Sequence, residues 1–415
     1  MKYVLYGDGI HDDTAAIQEL IDSGVCEIRL PAPERFYLIS KPLELPSNFR
    51  LVLPRYAEIR LADGSNCVMI RNKLVRDYAA RMPADTPARL MSMANYVDDY
   101  ADDCPCENIE LCGGVWNCNN MGQKQNPLLT GDYSIREFWG FGMLFYNVKN
   151  LALRDLTVKD PINFGITIDT VSYFTVENIV FDYNLGNPNP VTMDGVHVNG
   201  NCHFGTIRNL KGRCYDDLVA LNADEGSLGP ITNIDVCGIY AEGCHSAVRL
   251  LSAKSRVEKI HLSNIYGTYY QYVVGITKFY PTPVDGVFDA ISIDHIYASK
   301  CMPVRKGEFQ HPKRLEQVLP FIFIEKHTSI GALSVSCVHR REETLPVDTV
   351  CVQRDVTLDR LILDDVTTTN TTGTPMPLVH NCGRIRYCSI RRVNADGDAV
   401  LVNDGNGSVD VLDQK

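Results

Sequence analysis

The chain has 415 residues, about two to three times the common single-domain size, although solenoids and barrels often exceed that size as one unit. Hydrophobic residues make up 45% and charged residues 22%, which excludes a disordered or collagen-like chain. The net charge of −11 and the pI near 5.4 make nucleic acid and anionic membranes poor partners. No stretch approaches the ~18 consecutive apolar residues of a membrane helix.

The N-terminal residues, MKYVLYGDGIHDDTAAIQ, contain no long apolar segment followed by a small-residue cleavage site. We therefore expect no ordinary signal peptide and a cytoplasmic protein. The fifteen cysteines lack the spacing of a zinc motif or a disulfide scaffold, so most are expected to be reduced, buried packing residues. One cluster is dense enough to hold a metal or a disulfide; it consists of Cys104, Cys106, Cys112 and Cys118.

Residues 12–24 predict a short helix near the N terminus. Asp12 or Asp13 can N-cap it, and Gly24 suits the C′ position. One face of this helix is apolar and carries Ala16, Ile17, Leu20 and Ile21. Residues 1–25 are therefore predicted to cap the structure that follows, because an uncovered strand end promotes aggregation.

From residue 26 onward the pattern favours strands, at 26–30, at 36–39 and around 50–61. A repeat then runs through most of the chain, in which a polar residue is followed by apolar residues at +1, +3 and usually +6. The repeat unit is about 24 residues once loops of variable length are allowed for. Its starting residues are Asn108, Asn150, Asn178, Asn209, Asn233, Lys259, Ala290, Ala332, Arg360 and Arg384.

Alternating apolar residues such as Ile260 and Leu262 are typical of half-buried strands. Three short strands in each unit predict an all-β protein, a single-stranded right-handed parallel β-helix with a short N-terminal capping helix, in which residues 1–415 form one domain. A propeller, the alternative, would need units of ~40 residues and regular hairpin turns. Residues 74–105 and 119–147 break the rhythm and are predicted to be loop excursions beside the binding face.

Three acidic residues concentrate the chemistry of the chain: Asp194 in VTMDGVHVNG, and Asp216 and Asp217 in CYDDLVALN. Asp194 and Asp216 are 22 residues apart, which is one coil, so we expect them to stack about 4.8 Å apart. Their carboxyl groups can then open to the roughly 6.5–9.5 Å that separates the acid and base of an inverting glycosidase. Crowded acids also raise at least one pKa, as a general acid requires near neutral pH.

The same residues have structural explanations. Asp-Gly and Asp-Asp pairs are common in turns, and strict strand alternation would send Asp216 and Asp217 to opposite faces unless a bulge or turn lies there. A calcium site built from these acids is a further option. Asp224 and Glu225, just beyond them, could rim a cleft or form a turn.

Several segments and motifs point to one family. The segments are GDGIHDDTAAIQ at residues 7–18, LPAPERFYLIS, GGVWNCNNMGQ from Gly113, and FYNVKNLALRDLTVKDPINFGITI. They resemble the polygalacturonase family, glycoside hydrolase family 28, of the pectin-lyase-like superfamily. The motifs of that family are Asn-Thr-Asp, Gly-Asp-Asp, Gly-His-Gly and Arg-Ile-Lys, in that order. Here TMD ends at Asp194, YDD contains Asp216 and Asp217, and CHS contains His245.

The resemblance implies an inverting glycoside hydrolase that acts on a plant-type or other oligosaccharide or polysaccharide without a cofactor. Asp216 would be the general acid, while Asp194 and Asp217 would hold and activate the hydrolytic water. His245 would support the acid and the substrate.

The fourth motif departs from the family, because the chain reads VVGITKFY where Arg-Ile-Lys would fall. Lys278 is the basic residue left to bind substrate there. Arg249 could project a guanidinium into the same cleft, where its fork suits a carboxylate, or could pair with an acid on a neighbouring coil. His197 alternates with two valines, which favours the same outward face as the acids and makes it a further candidate for substrate binding.

Two other functions remain open. A polyuronate lyase or epimerase would need a basic residue to abstract the C5 proton and often calcium to neutralise the uronate. A non-catalytic carbohydrate-binding β-helix is the second alternative. The inserted segments 74–105 and 119–147 favour a closed, exo-type pocket over an open groove.

Overall fold

The computed structural model describes residues 3–75, 104–123, 141–184, 193–303 and 317–414. Within these ranges, 28 strands pair in parallel; the helical elements described in full are the α-helix Thr14–Ile21 and the 3₁₀ turn Asn120–Gly122, and residues 73–75 are helical as well. No helix of this described part is long and apolar enough to cross a membrane. The predicted all-β fold is confirmed.

The strands form three parallel ladders that run along the molecule. Three strands of one coil pair with the three corresponding strands of the next coil, so the backbone winds as a solenoid. This is the predicted parallel β-helix. At the N-terminal end the paired strands are Glu27–Arg29 with Phe49–Val52, Tyr37–Ile39 with Glu58–Leu61, and Leu43–Leu45 with Ile70–Asn72.

From Cys106 onward each ladder continues through the later coils. The first ladder contains Cys106–Cys112, Val148–Arg154, Ser172–Glu177, His203–Arg213, Ile231–Leu251, Arg256–Thr277, Gly286–Lys300, Thr328–Glu342, Thr357–Asn370, Arg384–Asn394 and Ser408–Gln414. The second contains Val115–Asn117, Thr157–Lys159, Val180–Asp182 and the continuation of the long strands. The third contains Met143–Tyr146, Ile166–Asp169, Val196–Val198, Asp217–Asn222, the final parts of Ile231–Leu251 and Arg256–Thr277, Ile322–Ile324, Val350–Val352, Val379–Asn381 and Leu401–Asn403.

Asparagine marks the corners of the coils because its short polar side chain tolerates a left-handed backbone. Asn108 and Asn150 have φ of 55° and 67°, and their amides form a ladder in which Asn150 donates to Asn108 and Asn108 donates to Asn48. Asn178 and Asn209 use the same conformation at the following corner. The sequence repeat therefore mixed two corners of the coil, which accounts for part of its uneven spacing.

The N-terminal helix covers the end of the solenoid as predicted. It buries Ala16, Ile17 and Ile21 against the core. Asp13 is its N-cap residue, but the Asp13 carboxylate accepts hydrogen bonds from the backbone of Tyr6 and Gly7 instead of capping the helix. This contact ties the N-terminal segment to the start of the helix.

Most of each predicted loop excursion, residues 76–103 and 124–140, lies outside the described residues. The prediction of an exo-type pocket depends on those segments and stays a prediction. Within the second excursion, Met143–Tyr146 is a buried strand of the third ladder rather than loop.

All fifteen cysteines are free thiols. Five are buried, eight are half-buried and two are exposed, so fewer of them fill the core than expected. The four cysteines between 104 and 118 are all described, and their thiols do not belong to either group of close metal-ligand atoms found in the described ranges. The buried ones are Cys118, Cys202, Cys214, Cys244 and Cys388.

Close stacking of coils makes Gly267 sensitive to substitution. Its φ is +118°, and an added Cβ would meet the carbonyl oxygen of Ala241 on the preceding coil. We expect Gly267→Ala to lower the free energy of unfolding by about 3 kcal/mol or more, through backbone strain and overpacking. Gly373→Ala is the matched control, because Gly373 also has positive φ but open space around it, and should cost only about 1–2 kcal/mol. Equal denaturation midpoints for the two variants would contradict the close coil contact.

Candidate active site

An elongated cavity of about 940 Å³ lies over the third ladder. Its lining begins at Asp216 and His245 and continues over successive coils to Asp404. The coil of Asp404 is the sixth after the coil of Asp216. Because neighbouring coils are about 4.8 Å apart, the cavity is roughly 29 Å long. The cavity can therefore accommodate an extended ligand along the solenoid axis.

The coils that carry Asp194, Asp216 and Asp217 pair in a register that differs from the predicted one. Asp194 pairs with Asp217, since the Asp217 N–H donates to Asp194 Oδ1 at 2.9 Å and the Gly195 N–H donates to the Asp217 carbonyl at 3.0 Å. The predicted stacking of Asp194 on Asp216 is wrong by one residue. Asp216 precedes the strand Asp217–Asn222 and lies in a bend, so the two neighbouring acids take different environments: Asp217 is buried and Asp216 faces the cavity.

Asp194 is buried, and both of its carboxylate oxygens are occupied. Oδ1 accepts the Asp217 N–H, and Oδ2 lies 2.6 Å from Nδ1 of His197. The other ring nitrogen of His197 lies 3.1 Å from Glu225 Oε2, and the ring stacks on Phe164. His197 was predicted to bind substrate; it is 1% exposed, is absent from the cavity lining and bridges two acids instead.

The charges of His197 and Glu225 stabilise each other. Burial lowers the pKa of His197, but hydrogen bonds to Asp194 and Glu225 outweigh it and raise the pKa to about 9. Burial raises the pKa of Glu225, while the hydrogen bond and charge of His197 bring it down to about 2. His197 is therefore a buried imidazolium between two carboxylates.

The two acids beyond Asp217 have structural roles. The hydroxyl of Tyr280 donates to Glu225 at 2.5 Å, and the amide of Asn222 donates to it at 2.8 Å. Asp224 accepts three backbone N–H groups from residues 253–255 and forms a turn. Neither of the two acids lines the cavity.

Asp217 is buried directly behind the cavity wall. Its Oδ1 accepts hydrogen bonds from the hydroxyls of Ser246 at 2.5 Å and Tyr272 at 3.0 Å, and its Oδ2 lies 3.7 Å from the Arg249 guanidinium. Burial raises the pKa of Asp217 to about 6, with Arg249 opposing and Asp194 adding to the increase. One pKa in this group is thus raised as predicted, at Asp217, but burial rather than the crowding of acids is its main cause.

Asp216 and His245 open on the cavity. The Asp216 side chain is 22% exposed, and its Oδ1 lies 3.6 Å from Nδ1 of His245. Asp216, Asp217 and His245 each place one ligand atom within 4.8 Å of the others. This spacing is compatible with a cation held by these groups, whereas the separation of roughly 6.5–9.5 Å expected between Asp194 and Asp216 stays a prediction.

Arg249 lines the cavity and also approaches Asp217 on a neighbouring coil, so it is placed for both predicted roles, and its binding of substrate stays a prediction. Its Nε donates to Thr277 and its guanidinium lies over the ring of Phe279. Lys278, in contrast, is absent from the lining, and its ammonium donates to the Thr282 carbonyl at 2.8 Å. The structure therefore brings only Arg249 of these two basic residues to the cavity.

Sequence reasoning missed four residues. Ser246 and Tyr272 occupy the two coils that follow Asp217 in register, so only the pairing of coils identifies them. Lys326 and Arg354 are exposed cations further along the cavity, and no ion pair joins either of them to an acid in the ranges that the structure describes. The positions of Lys326 and Arg354 along the solenoid axis depend on the lengths of the loops that connect the coils.

Comparison with protein-family models and with curated proteins finds no match. Solved structures do match. The endo-xylogalacturonan hydrolase from Aspergillus tubingensis is 15% identical, with a TM-score of 0.59 over 97% of this chain and 99% of its own. The family 28 exopolygalacturonase of Yersinia enterocolitica is 12% identical, with a TM-score of 0.56 over 99% of this chain and 76% of its own.

A surface adhesin of Streptococcus pneumoniae, PfbA, is similar as well. It is 14% identical and has a TM-score of 0.55 over all of this chain and 90% of its own. At this level of identity the likenesses show the fold and do not separate hydrolases from adhesins. The chain therefore has the right-handed parallel β-helix fold shared by polygalacturonases and other pectin-lyase-like proteins.

Proposed function

We propose that the protein is a glycoside hydrolase that cleaves an oligosaccharide or polysaccharide lying along the elongated cavity. One observation carries the proposal: the Asp216 carboxylate opens on the cavity beside His245, with the buried carboxylate of Asp217 directly behind it. Two similar solved structures are named an endo-xylogalacturonan hydrolase and a family 28 exopolygalacturonase, which is consistent with this chemistry.

The environments of the acids suggest their roles. Asp216 is the carboxylate that lines the cavity beside His245 and next to Asp217, so it is the group placed to protonate a leaving glycosidic oxygen. Asp217 is oriented by three partners and would accept a proton from a water held against it. Asp194 is buried, lies outside the cavity lining and holds the Asp217 N–H and His197, so we assign it a positioning role, which revises the role that the family resemblance implied for it.

Inversion is the outcome we propose for the anomeric centre. The short spacing of Asp216 and Asp217 resembles that of retaining enzymes, at about 5–5.5 Å. However, Asp217 is buried behind the cavity wall, so its oxygen does not reach a sugar in the cavity as a nucleophile. A water between Asp217 and the sugar is then the attacking species.

The cations along the cavity favour an acidic glycan over a neutral one. Arg249 stands close to Asp216, and Lys326 and Arg354 follow on later coils. Cations on several coils suit the repeated carboxylates of a polyuronate better than they suit a single charged group, and they offset Glu325 and Asp404 in the same lining. The substrate class is thus proposed to be polygalacturonase-like, with Arg249 instead of Lys278 as the basic residue nearest the acids.

Replacing the acid tests the hydrolase. Asp216→Asn should lower kcat by about 10²–10⁴-fold on a panel of neutral and uronic oligosaccharides, while leaving their binding in place, because only the transferable proton is lost. Asp285→Asn, an exposed acid outside the cavity lining, is the control and should keep full activity. Unchanged turnover in Asp216→Asn would refute the assignment. Unsaturated uronide products would indicate a lyase, and binding without turnover by the native protein would indicate a carbohydrate-binding solenoid.

The anomeric configuration of the first product tests the proposed inversion. We expect proton NMR of the first product formed to show the anomer opposite to that of the substrate, because water attacks from the side away from the leaving group. Retention would instead make Asp217 a nucleophile and contradict the proposed arrangement.

The pH dependence reports on Asp217. Because the base must be ionised, kcat/KM should fall as the pH drops through about 6, the raised pKa of Asp217. Tyr272→Phe removes a hydrogen bond that lowers this pKa, so the acid limb should move to higher pH. Tyr173→Phe, an exposed tyrosine, serves as the control and should leave the limb in place. An identical limb in Tyr272→Phe and the native protein would exclude Asp217 as the titrating base.

A further inference from the structure

A second cluster of reactive side chains lies at the opposite end of the cavity. It consists of His380 in the strand Val379–Asn381, Cys382 directly after that strand, and Asp404 after the next strand of the third ladder. Cys382 and Asp404 line the cavity. His380 is four coils beyond Arg249 in register, a distance of roughly 19 Å, so the cluster is separate from Asp216 and His245.

The ligand atoms of this cluster converge. The Sγ of Cys382 lies 3.8 Å from the Nε2 of His380, and that nitrogen lies 3.6 Å from the Oδ2 of Asp404. Tetrahedral zinc with ordinary bond lengths requires roughly 3.5 Å between sulfur and nitrogen and roughly 3.4 Å between nitrogen and oxygen. The observed distances exceed these values by only a few tenths of an ångström, which small side-chain rotations can remove.

A fourth residue orients the histidine. The Nδ1 of His380 lies 2.9 Å from Oδ2 of Asp348, which precedes the third-ladder strand of the preceding coil. A carboxylate on Nδ1 keeps the proton there and leaves Nε2 as the free lone pair, directed at Cys382 and Asp404. This arrangement of carboxylate, histidine and ligand position is common to zinc sites in proteins.

We propose that His380, Cys382 and Asp404 bind one divalent transition-metal ion of the zinc class. A thiol and an imidazole select such an ion over calcium or magnesium, which prefer oxygen ligands. Binding replaces the thiol proton by the metal, and the two positive charges offset the nearby carboxylates of Asp348 and Asp404. With three protein ligands, the remaining coordination position faces the cavity, where an oxygen atom of a ligand can occupy it. This proposal does not depend on the hydrolase.

Cobalt provides a direct test. The full-length protein is stripped with a chelator and titrated with Co²⁺, which gives a thiolate-to-cobalt charge-transfer band in the near ultraviolet and strong visible bands when its geometry is tetrahedral. We expect one equivalent of Co²⁺ to produce both, and Zn²⁺ to abolish them by displacement. Cys382→Ser and His380→Gln should each lose the bands. Cys26→Ser, an exposed cysteine outside the cluster, should keep them.

Replacing the orienting carboxylate of Asp348 should weaken metal binding without abolishing it. Asp348→Asn should weaken Co²⁺ binding by about ten- to a hundredfold while leaving the spectrum of the bound ion the same, because the three ligands remain. Absence of the bands in the native protein, or bands of equal intensity in Cys382→Ser, would overturn the proposal. Unfolding midpoints measured with chelator present establish that each variant is folded, so a lost band reports lost coordination.

Discussion

Parallel pairing between successive coils is the constraint on which the rest of this protein depends. Each residue of the third ladder has a neighbour on the next coil about 4.8 Å away, so side chains that are distant in sequence form continuous rows. Asp194, Asp217, Ser246 and Tyr272 are one such row. The candidate active site is therefore a consequence of register, and its geometry is as rigid as the stacked backbone beneath it.

The same stacking of coils buries several charged side chains. Asp194, His197 and Glu225 form a buried row of alternating charge, in which each group compensates the desolvation of its neighbour. Among Asp194, Asp216 and Asp217, Asp216 is the acid that lines the cavity, with Asp217 buried behind it. Structural and chemical roles are thus divided among acids that look alike in the sequence.

The cavity has different chemistry at its two ends. One end carries Asp216 and His245 and suits proton transfer, whereas the other carries His380, Cys382 and Asp404 and suits coordination of a soft cation. Cations lie between them, where a polymer with repeated negative charge would extend. A solenoid can hold two such centres in one groove because each coil adds its own outward side chains without disturbing the core.

Much of the fold could be predicted from the sequence. Alternating apolar residues and recurrent asparagines specify strands and corners, because each depends on local geometry that every coil repeats. The motifs around Asp216 and His245 likewise located the candidate site. The pairing of Asp194 with Asp217 rather than Asp216 could not be predicted in this way, since loops of unequal length set the register and one residue of offset changes the neighbour of every side chain.

Long-range contacts decided the remaining features. The direction of Lys278 depends on the Thr282 carbonyl that binds its ammonium, and the burial of His197 depends on Glu225 from a neighbouring coil. His380, Cys382 and Asp404 carry no recognisable spacing in the chain and become neighbours only when two coils stack. The sequence by itself determined the solenoid and the acids of its candidate site, because these follow from local and repeated patterns. The tertiary structure decided which side chains meet, because that depends on the cumulative length of every loop between them.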